Sequence, residues 1–251
     1  CFGMKWRVIM FEHHDAFTNM ALDEACSEAV ADGKVPPTIR FYGWQPSAVS
    51  IGYHQSITDE VDLEECRKSE IDVVRRRTGG GAVYHDYNGE ITYSVIAPEI
   101  YFTKDIIASY KIICGWIVNG LKTLNLEAEF KPINDIIVGG KKVSGNAQTR
   151  RHGVLLQHGT LLFDLDVRKM FSVLKVSKEK ISDKMIASVE ERVTSLKRLG
   201  IADKNEAYKA LVEAFTQGKE FEFGSWSENE LLRAKELATT KYRTTEWNFQ
   251  R

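Results

Sequence analysis

Residues 142–164 read KVSGNAQTRRHGVLLQHGTLLFD, and this stretch decides the fold class. It predicts two strands, over 142–150 and 154–164, joined by a short turn. Strands that follow each other this closely pair antiparallel. Most other predicted strands also come in adjacent pairs. We therefore expect an α/β (α+β) fold with a mixed, largely antiparallel central sheet flanked by helices, rather than a doubly wound sheet.

Hydrophobic periodicity extends this prediction outward along the chain. Further strands are predicted over 38–44, 48–53, 72–77, 82–85, 90–97, 127–131 and 135–138, and helices over 19–31, 59–70, 104–124, 167–174, 188–196, 205–215 and 227–240. The strands 38–44 and 48–53 are expected to form a hairpin. The helix over 104–124 carries one apolar stripe, which places Cys114 in the core.

Composition narrows the class of protein. The 251 residues are 43% hydrophobic and 27% charged, and we expect one domain over 1–251, with residues 1–3 a vector-derived remnant ahead of Met4. Lys and Arg total 34 against 35 Asp and Glu, which argues against a nucleic-acid partner. The apolar runs are too short to cross a membrane. The four cysteines show no paired spacing, so we expect reduced thiols and a cytoplasmic protein.

A glycine-rich segment, residues 75–86, reads RRRTGGGAVYHD and lies between two predicted strands. Three consecutive glycines allow close approach of a ligand to backbone amides, and neighbouring guanidinium groups suit a phosphate or carboxylate. The alternative is a flexible turn with solvated arginines. A P-loop is not indicated, because an apolar strand follows the glycines instead of Lys-Ser/Thr and a helix.

Two later segments contain further candidate site residues. Residues 134–148 read NDIIVGGKKVSGNAQ, where Lys142 could extend over a sheet-floored site and polarise a developing oxyanion. Small residues on the same strand, Gly145 and Ala147 among them, suggest that a ligand lies close. The alternative is a solvated turn. His158 and Gly159 fall in an otherwise apolar strand pair. A histidine there is as often a core residue whose hydrogen bonds are satisfied as it is a site residue.

Together these segments resemble the lipoate-protein ligase family, within the lipoate and biotin ligases related to class II aminoacyl-tRNA synthetases. The resemblance spans about residues 6–249. It rests on the runs at 75–86, 134–135, 141–148 and 158–162, with support from residues 20–25 and 40–42. The resemblance implies the fold of the catalytic domains of class II aminoacyl-tRNA synthetases and biotin ligases. Longer members carry a small C-terminal domain, and we expect this chain to be of the type without it.

The resemblance implies ligation of lipoate in two steps, with ATP and Mg²⁺. Lipoate and ATP form lipoyl-AMP, and a lysine of a carrier domain then takes the lipoyl group. Lys142 is implied as the catalytic residue, with Asp135 as a magnesium ligand. The residues implied in substrate and nucleotide binding are Arg75, Arg76, Gly79, Gly80, Gly81, Ala82, Val83, Tyr84, His85, Asn134, Asp135, Lys142, Gly145, Ala147, His158 and Gly159.

The implied partners are lipoyl carrier domains, in E2 subunits of 2-oxoacid dehydrogenases and in the glycine cleavage H protein. A separate accessory protein equivalent to the C-terminal domain is also expected. An octanoyl or lipoyl transferase of the same fold is the main alternative. Such enzymes form a thioester on a cysteine near the matching lysine, and no cysteine follows Cys114. A non-catalytic sensor of a lipoyl ligand is the remaining alternative. We therefore expect an ATP-dependent ligase.

Overall fold

The computed structural model describes residues 5–175 and 181–251, so the predicted remnant at residues 1–3 lies outside the described residues. The large sheet contains β1 (Trp6–His14), β2 (Thr38–Trp44), β6 (Glu90–Pro98), β7 (Ala128–Lys131), β8 (Asp135–Val138), β9 (Lys141–Arg151), β10 (Val154–Leu162) and β11 (Phe221–Gly224). These strands run in the order β11-β1-β2-β6-β10-β9-β8-β7. Only the pairs of β1 with β2 and β11 are parallel, which confirms the mixed, largely antiparallel sheet.

The structure contains a second, smaller sheet, and one predicted hairpin does not form because its second strand belongs to that sheet. The second sheet contains β3 (Ala48–Ile51), β4 (Asp72–Arg75) and β5 (Val83–His85), in the order β4-β3-β5. The turn at residues 45–47 therefore leads the chain from the large sheet into the small one, and β3 pairs with β4 and β5 instead of β2. The expected hairpin of 38–44 with 48–53 was wrong, because two apolar strands separated by a turn do not reveal whether they share a sheet.

The helices in the described ranges are α1 (Ala16–Ala31), α2 (Ile57–Glu60), α3 (Leu63–Lys68), α4 (Ile106–Thr123), α5 (Val167–Val173), α6 (Asp183–Glu190), α7 (Lys204–Thr216), α8 (Glu228–Leu237) and α9 (Thr245–Asn248). Some of them cover the two faces of the large sheet. On one face α4 and α7 bury a core around Phe41, Tyr93 and Phe215, which includes Cys114. On the other face α1 and α8 pack beside the small sheet. No helix in the described ranges is long and apolar enough to span a bilayer.

Two edge strands and one helix differ from the sequence prediction. The strands β1 and β11 were not predicted, and they pair with each other across more than 200 residues of chain. The helix expected over 188–196 is instead α6 over residues 183–190. Beyond it, Lys142 donates its backbone N–H to the Arg192 carbonyl at 2.8 Å and accepts from the Thr194 N–H at 2.8 Å. Residues 192–194 therefore support the start of β9.

Arg75 fixes a later segment of the chain against the small sheet. Its side chain is fully buried and donates to five backbone carbonyls, those of Gly52, Tyr53, Gln55, Trp247 and Asn248, at 2.6–3.1 Å. The Asn248 side chain accepts from the Arg75 backbone N–H at 2.8 Å. A planar guanidinium can serve this many acceptors at once, whereas an ammonium cannot.

We predict that Arg75→Lys lowers the free energy of unfolding by about 2–4 kcal/mol, because several buried carbonyls lose their donor. Urea denaturation followed by circular dichroism measures the change. Arg67→Lys, on an exposed face of α3, is the matched control and should stay within about 0.5 kcal/mol of the parent. Equal stability of the two variants would contradict the anchoring role.

Candidate active site

A cavity of about 280 Å³ lies between the large sheet and the small sheet. Strands β2, β6, β9 and β10 form its floor. The strand β5 covers it, together with the loop before β5 that contains Gly79, Gly80 and Gly81 and is called the glycine loop below. Of the residues predicted from sequence, those that line the cavity are Arg76, Gly79, Gly80, Gly81, Ala82, Val83, Tyr84, His85, Asn134, Lys142, Gly145, Ala147, His158 and Gly159. The structure thus brings together three segments that are far apart in sequence.

Two predicted residues lie elsewhere. Arg75 is outside the lining, and its donors are taken by the backbone carbonyls described above. Asp135 is also outside the lining and pairs with Lys142, with 3.0 Å between Oδ1 and Nζ. Among the described residues, no group of three or more His, Cys, Asp or Glu side chains is placed to hold a metal ion. Asp135 as a magnesium ligand therefore stays a prediction, and its carboxylate would be the single protein ligand from this part of the chain.

The glycine loop is shaped around Arg76. Its guanidinium donates to the carbonyls of Gly79 and Gly81 at 2.7 and 2.8 Å, and to the backbone and hydroxyl oxygens of Ser50 at 3.2 Å each. Gly80 adopts a φ of 96°, and a Cβ at Gly52 would lie 2.0 Å from the Gly80 carbonyl oxygen. Burial lowers the Arg76 pKa to about 10, which still leaves the side chain charged at neutral pH. A cation bonded to neutral oxygens thus borders the cavity.

Lys142 lies at the more open side of the same cavity. Its side chain is 42% exposed and crosses Gly145, where an added Cβ would lie 3.0 Å from Lys142 Cε and Nζ. Glycine at this position therefore leaves room for the ammonium group. The backbone bonds to residues 192 and 194 fix the strand from which Lys142 projects. The ammonium is placed to donate to an oxygen of a bound ligand.

Asn134 and Gly159 both adjoin Asn146, a residue that was not among the site residues predicted from the sequence. The Asn134 amide donates to the Asn146 carbonyl at 2.7 Å, and the Asn146 amide donates to the Asn134 carbonyl at 3.0 Å. Asn146 Oδ1 accepts from the Tyr93 hydroxyl at 2.5 Å. A Cβ at Gly159 would lie 2.0 Å from that same Oδ1. These hydrogen bonds fix the register of β9 against the turn that precedes β8.

His158 belongs to a buried chain of polar groups. Its Nε2 lies 2.5 Å from the Thr78 hydroxyl, and its Nδ1 lies 3.0 Å from Asp23 Oδ2. Asp23 in turn accepts from Arg40 at 3.2 Å. Burial lowers the His158 pKa, so the ring is neutral at pH 7. Asp23 and Thr78 were not predicted as site residues, although both lie inside the quoted family runs.

His85 belongs to a second such chain. Its Nε2 lies 2.8 Å from the Ser50 hydroxyl, and its Nδ1 lies 2.6 Å from Glu90 Oε1. The Trp44 ring stacks on the imidazole, with 4.0 Å between centroids. The Thr92 hydroxyl donates to Glu90 Oε1 at 2.9 Å. Ser50 and Glu90 carry no motif signal of their own, because each is a single polar residue within a strand.

The described cysteines lie away from this cavity. Cys26, Cys66 and Cys114 are at most 2% exposed, and none belongs to the lining. Burial raises their pKa values to about 12, 11 and 12 respectively. Thiols in this state are poor nucleophiles at neutral pH. Cys1 lies outside the described residues.

Curated relatives match nearly the full chain. An octanoyltransferase LipM of Brevibacillus brevis is 37% identical over 276 residues, which cover 98% of this chain and 99% of the relative. An octanoyltransferase LipM of Bacillus subtilis is 35% identical, with 98% of each chain covered. Among solved structures, a bi-partite lipoate protein ligase of Thermoplasma acidophilum superposes with a TM-score of 0.86 at 32% identity, covering 98% of this chain and 96% of that one. A lipoate-protein ligase A bound with ATP gives 0.84 at 31% identity, with 98% and 99% covered.

The curated relatives overturn the expected ATP-dependent ligation of lipoate. They are transferases by name and are similar over their whole length. The prediction failed because the motifs describe a fold and an acyl site, and neither specifies how the acyl group is activated. It also assumed that a transferase needs a cysteine close to Lys142. The same comparisons leave a requirement for ATP and Mg²⁺ unsupported.

One family covers most of the chain. The family described as the lipoyl protein ligase A/B catalytic domain matches residues 15–216, a range that includes every residue lining the cavity. The solved lipoate ligases share the fold throughout. This chain belongs to the lipoyl protein ligase A/B catalytic domain family.

Proposed function

We propose that this protein transfers an octanoyl-length acyl group from a thioester donor to a lysine amine of a lipoyl carrier domain. The observation that carries the proposal is the similarity to octanoyltransferases over the full length of both chains. In the overall reaction the C–S bond of the donor breaks, an amide C–N bond forms, and the thiol leaves with the proton of the amine. A thioester is already activated, so this reaction needs no ATP.

The cavity suits the proposed acyl chain. Its walls include Met20, Leu162, Met170, Leu174 and Val193, which can cover an alkyl chain. Its volume of about 280 Å³ is close to the lower end of the range for small-molecule sites. Within the lining, Trp44 is fully buried, whereas the Lys142 side chain is 42% exposed. The chain would therefore enter with its carbonyl near Lys142 and its tail inside.

Lys142 is proposed to bind the carbonyl oxygen. As a nucleophile attacks the thioester carbon, negative charge develops on that oxygen, and a fixed ammonium donor stabilises it. Asp135 orients the ammonium through the 3.0 Å ion pair. Lipoyl carrier domains, such as those of E2 subunits and H proteins, are the proposed acceptors. The accessory protein expected from the resemblance stays a prediction, and transfer from a thioester does not require it.

The test is a reaction of the chain alone with S-octanoyl-N-acetylcysteamine and an unmodified lipoyl domain, without ATP. We expect the intact mass of the lipoyl domain to increase by one octanoyl group, and no increase when the acceptor lysine is replaced by Arg. A parallel reaction contains free octanoate, ATP and Mg²⁺. Modification in that reaction alone would contradict the proposal, as would ligand binding with no transfer in either.

Lys142→Met should lower the transfer rate by about 10²–10³-fold, because one preorganised donor to a developing oxyanion is lost. The methionine keeps much of the apolar stem, so the melting temperature should change little. Lys141→Met is the control, since Lys141 is exposed and does not line the cavity. A Lys142→Met enzyme as fast as the control would remove Lys142 from the mechanism.

Single replacement of Cys26, Cys66 or Cys114 by Ala should leave the transfer rate within a few-fold of the parent. Buried thiols with pKa values near 11–12 contain almost no thiolate at neutral pH. Initial rates are compared at a temperature where all variants are folded. Isolation of an acyl thioester on any of these three residues would contradict this expectation.

A further inference from the structure

Three consecutive arginines precede the glycine loop, and they do not share one role. Arg76 lines the cavity, and its guanidinium donates to carbonyls of the glycine loop. Arg75 and Arg77 lie outside the lining. Successive residues of an extended chain point to opposite sides, which accounts for this alternation. The two outer arginines are thus placed to hold the chain from the side away from the cavity.

Two side chains from late in the sequence complete the outer edge of β4. This strand is an edge strand of the small sheet, next to β3. Its last residue, Arg75, donates its backbone N–H to Asn248 Oδ1 at 2.8 Å, and its carbonyl accepts from the Trp247 indole N–H at 2.8 Å. The backbone groups of an edge strand are otherwise unpaired. Trp247 and Asn248 therefore take the place of a neighbouring strand, one residue before Arg76.

A second link joins the same part of the chain to Arg77. Glu24 on α1 lies with its Oε1 3.5 Å from Arg77 Nε. The same carboxylate oxygen accepts from Lys241 Nζ at 2.6 Å and from the Tyr242 hydroxyl at 3.3 Å. Lys241 and Tyr242 belong to a π-helical turn, Ala238–Tyr242, that follows α8. Such turns are rare, and many of them occur at functional sites.

The conformation of the glycine loop depends on the backbone before it. A run of three glycines loses much conformational entropy when it is ordered. Two loop carbonyls bond to the Arg76 guanidinium, so the loop is held only as firmly as the backbone that carries Arg76. Residues 238–248, called the strap below, are connected to both sequence neighbours of Arg76. A loop that is ordered before the ligand arrives lowers the entropic cost of binding.

We propose that the strap preorganises the glycine loop for the acyl donor, with Trp247 and Asn248 as positioning residues; this inference rests on the function proposed above. Neither residue lines the cavity. Each acts through the backbone of Arg75 on Arg76, and so on the loop. The strap lies beyond residues 15–216, the range that matches the family. Affinity for the acyl donor therefore depends on residues outside the range that contains the whole cavity lining.

The test compares the two substrates. Steady-state kinetics with S-octanoyl-N-acetylcysteamine and an unmodified lipoyl domain give a KM for each. Trp247→Phe keeps an aromatic ring but loses the indole N–H, so we expect the donor KM to rise about 3–10-fold. Asn248→Ala should raise it by about 10-fold or more, because the Arg75 N–H loses its acceptor. The carrier KM and kcat should stay within about two-fold of the parent. A partly unfolded enzyme would instead lose kcat at an unchanged KM.

Trp226→Phe is the matched control. The Trp226 ring is half-buried like that of Trp247, and its indole N–H donates to Glu12 Oε1 on β1 at 2.6 Å instead of to β4. This variant should keep the donor KM of the parent. Hydrogen exchange followed by mass spectrometry should be faster over residues 78–84 in both strap variants and unchanged in the control.

The inference is overturned if both strap variants keep the donor KM of the control, or if the donor KM and the carrier KM rise equally. Either result leaves transfer from the thioester by the parent, and with it the proposed function, standing. If the parent does not transfer from the thioester, the proposed function fails. Hydrogen exchange then decides the role of the strap, and unchanged exchange over residues 78–84 in both variants overturns it.

Discussion

A buried cation with only neutral partners determines the shape of the cavity. Removal of a guanidinium from water costs several kcal/mol, and Arg76 offsets this through four oxygens of Ser50, Gly79 and Gly81. To supply two of those oxygens, the glycine loop must turn its carbonyls inward over the small sheet. That conformation requires the positive φ at Gly80 and the absence of a side chain at Gly52. Because Arg76 forms no ion pair with a carboxylate of residues 5–175 or 181–251, its positive potential extends into the cavity.

Local patterns predicted those elements whose structure depends on nearby residues. The hairpin of β9 and β10 and the buried stripe of α4 follow from short-range periodicity and were found as expected. The edge strands β1 and β11 were missed because their pairing joins residues more than 200 positions apart. The switch between sheets after β2 was missed because sheet membership is decided by packing and not by turn sequence.

The candidate site was predicted in part for the same reason. Glycine runs and lysines at strand ends are visible as motifs, and 14 of the 16 predicted residues line one cavity. Partners that come from other elements carry no such signal. Asp23 reaches His158 across 135 positions, and Ser50 reaches His85 across 35. Arg75 lies outside the lining, and an arginine beside a glycine loop looks the same in sequence whether its donors reach a cavity or backbone carbonyls.

The reaction was the least predictable property. Relatives named as ligases and relatives named as transferases both match nearly the whole chain, and the two reactions differ in how the acyl carbon is activated. Motifs that bind a carbonyl oxygen serve both chemistries. Similarity to named transferases over the whole chain is what favours one of them.

The anchoring of Arg75 has a consequence for biosynthesis. The carbonyls of residues 52–55 and of residues 247–248 meet on one guanidinium, so the small sheet acquires its final support only after almost 200 further residues have been made. During translation the glycine loop emerges early but lacks that support. A nascent chain therefore lacks the complete support of the small sheet until residues 247–248 have been made.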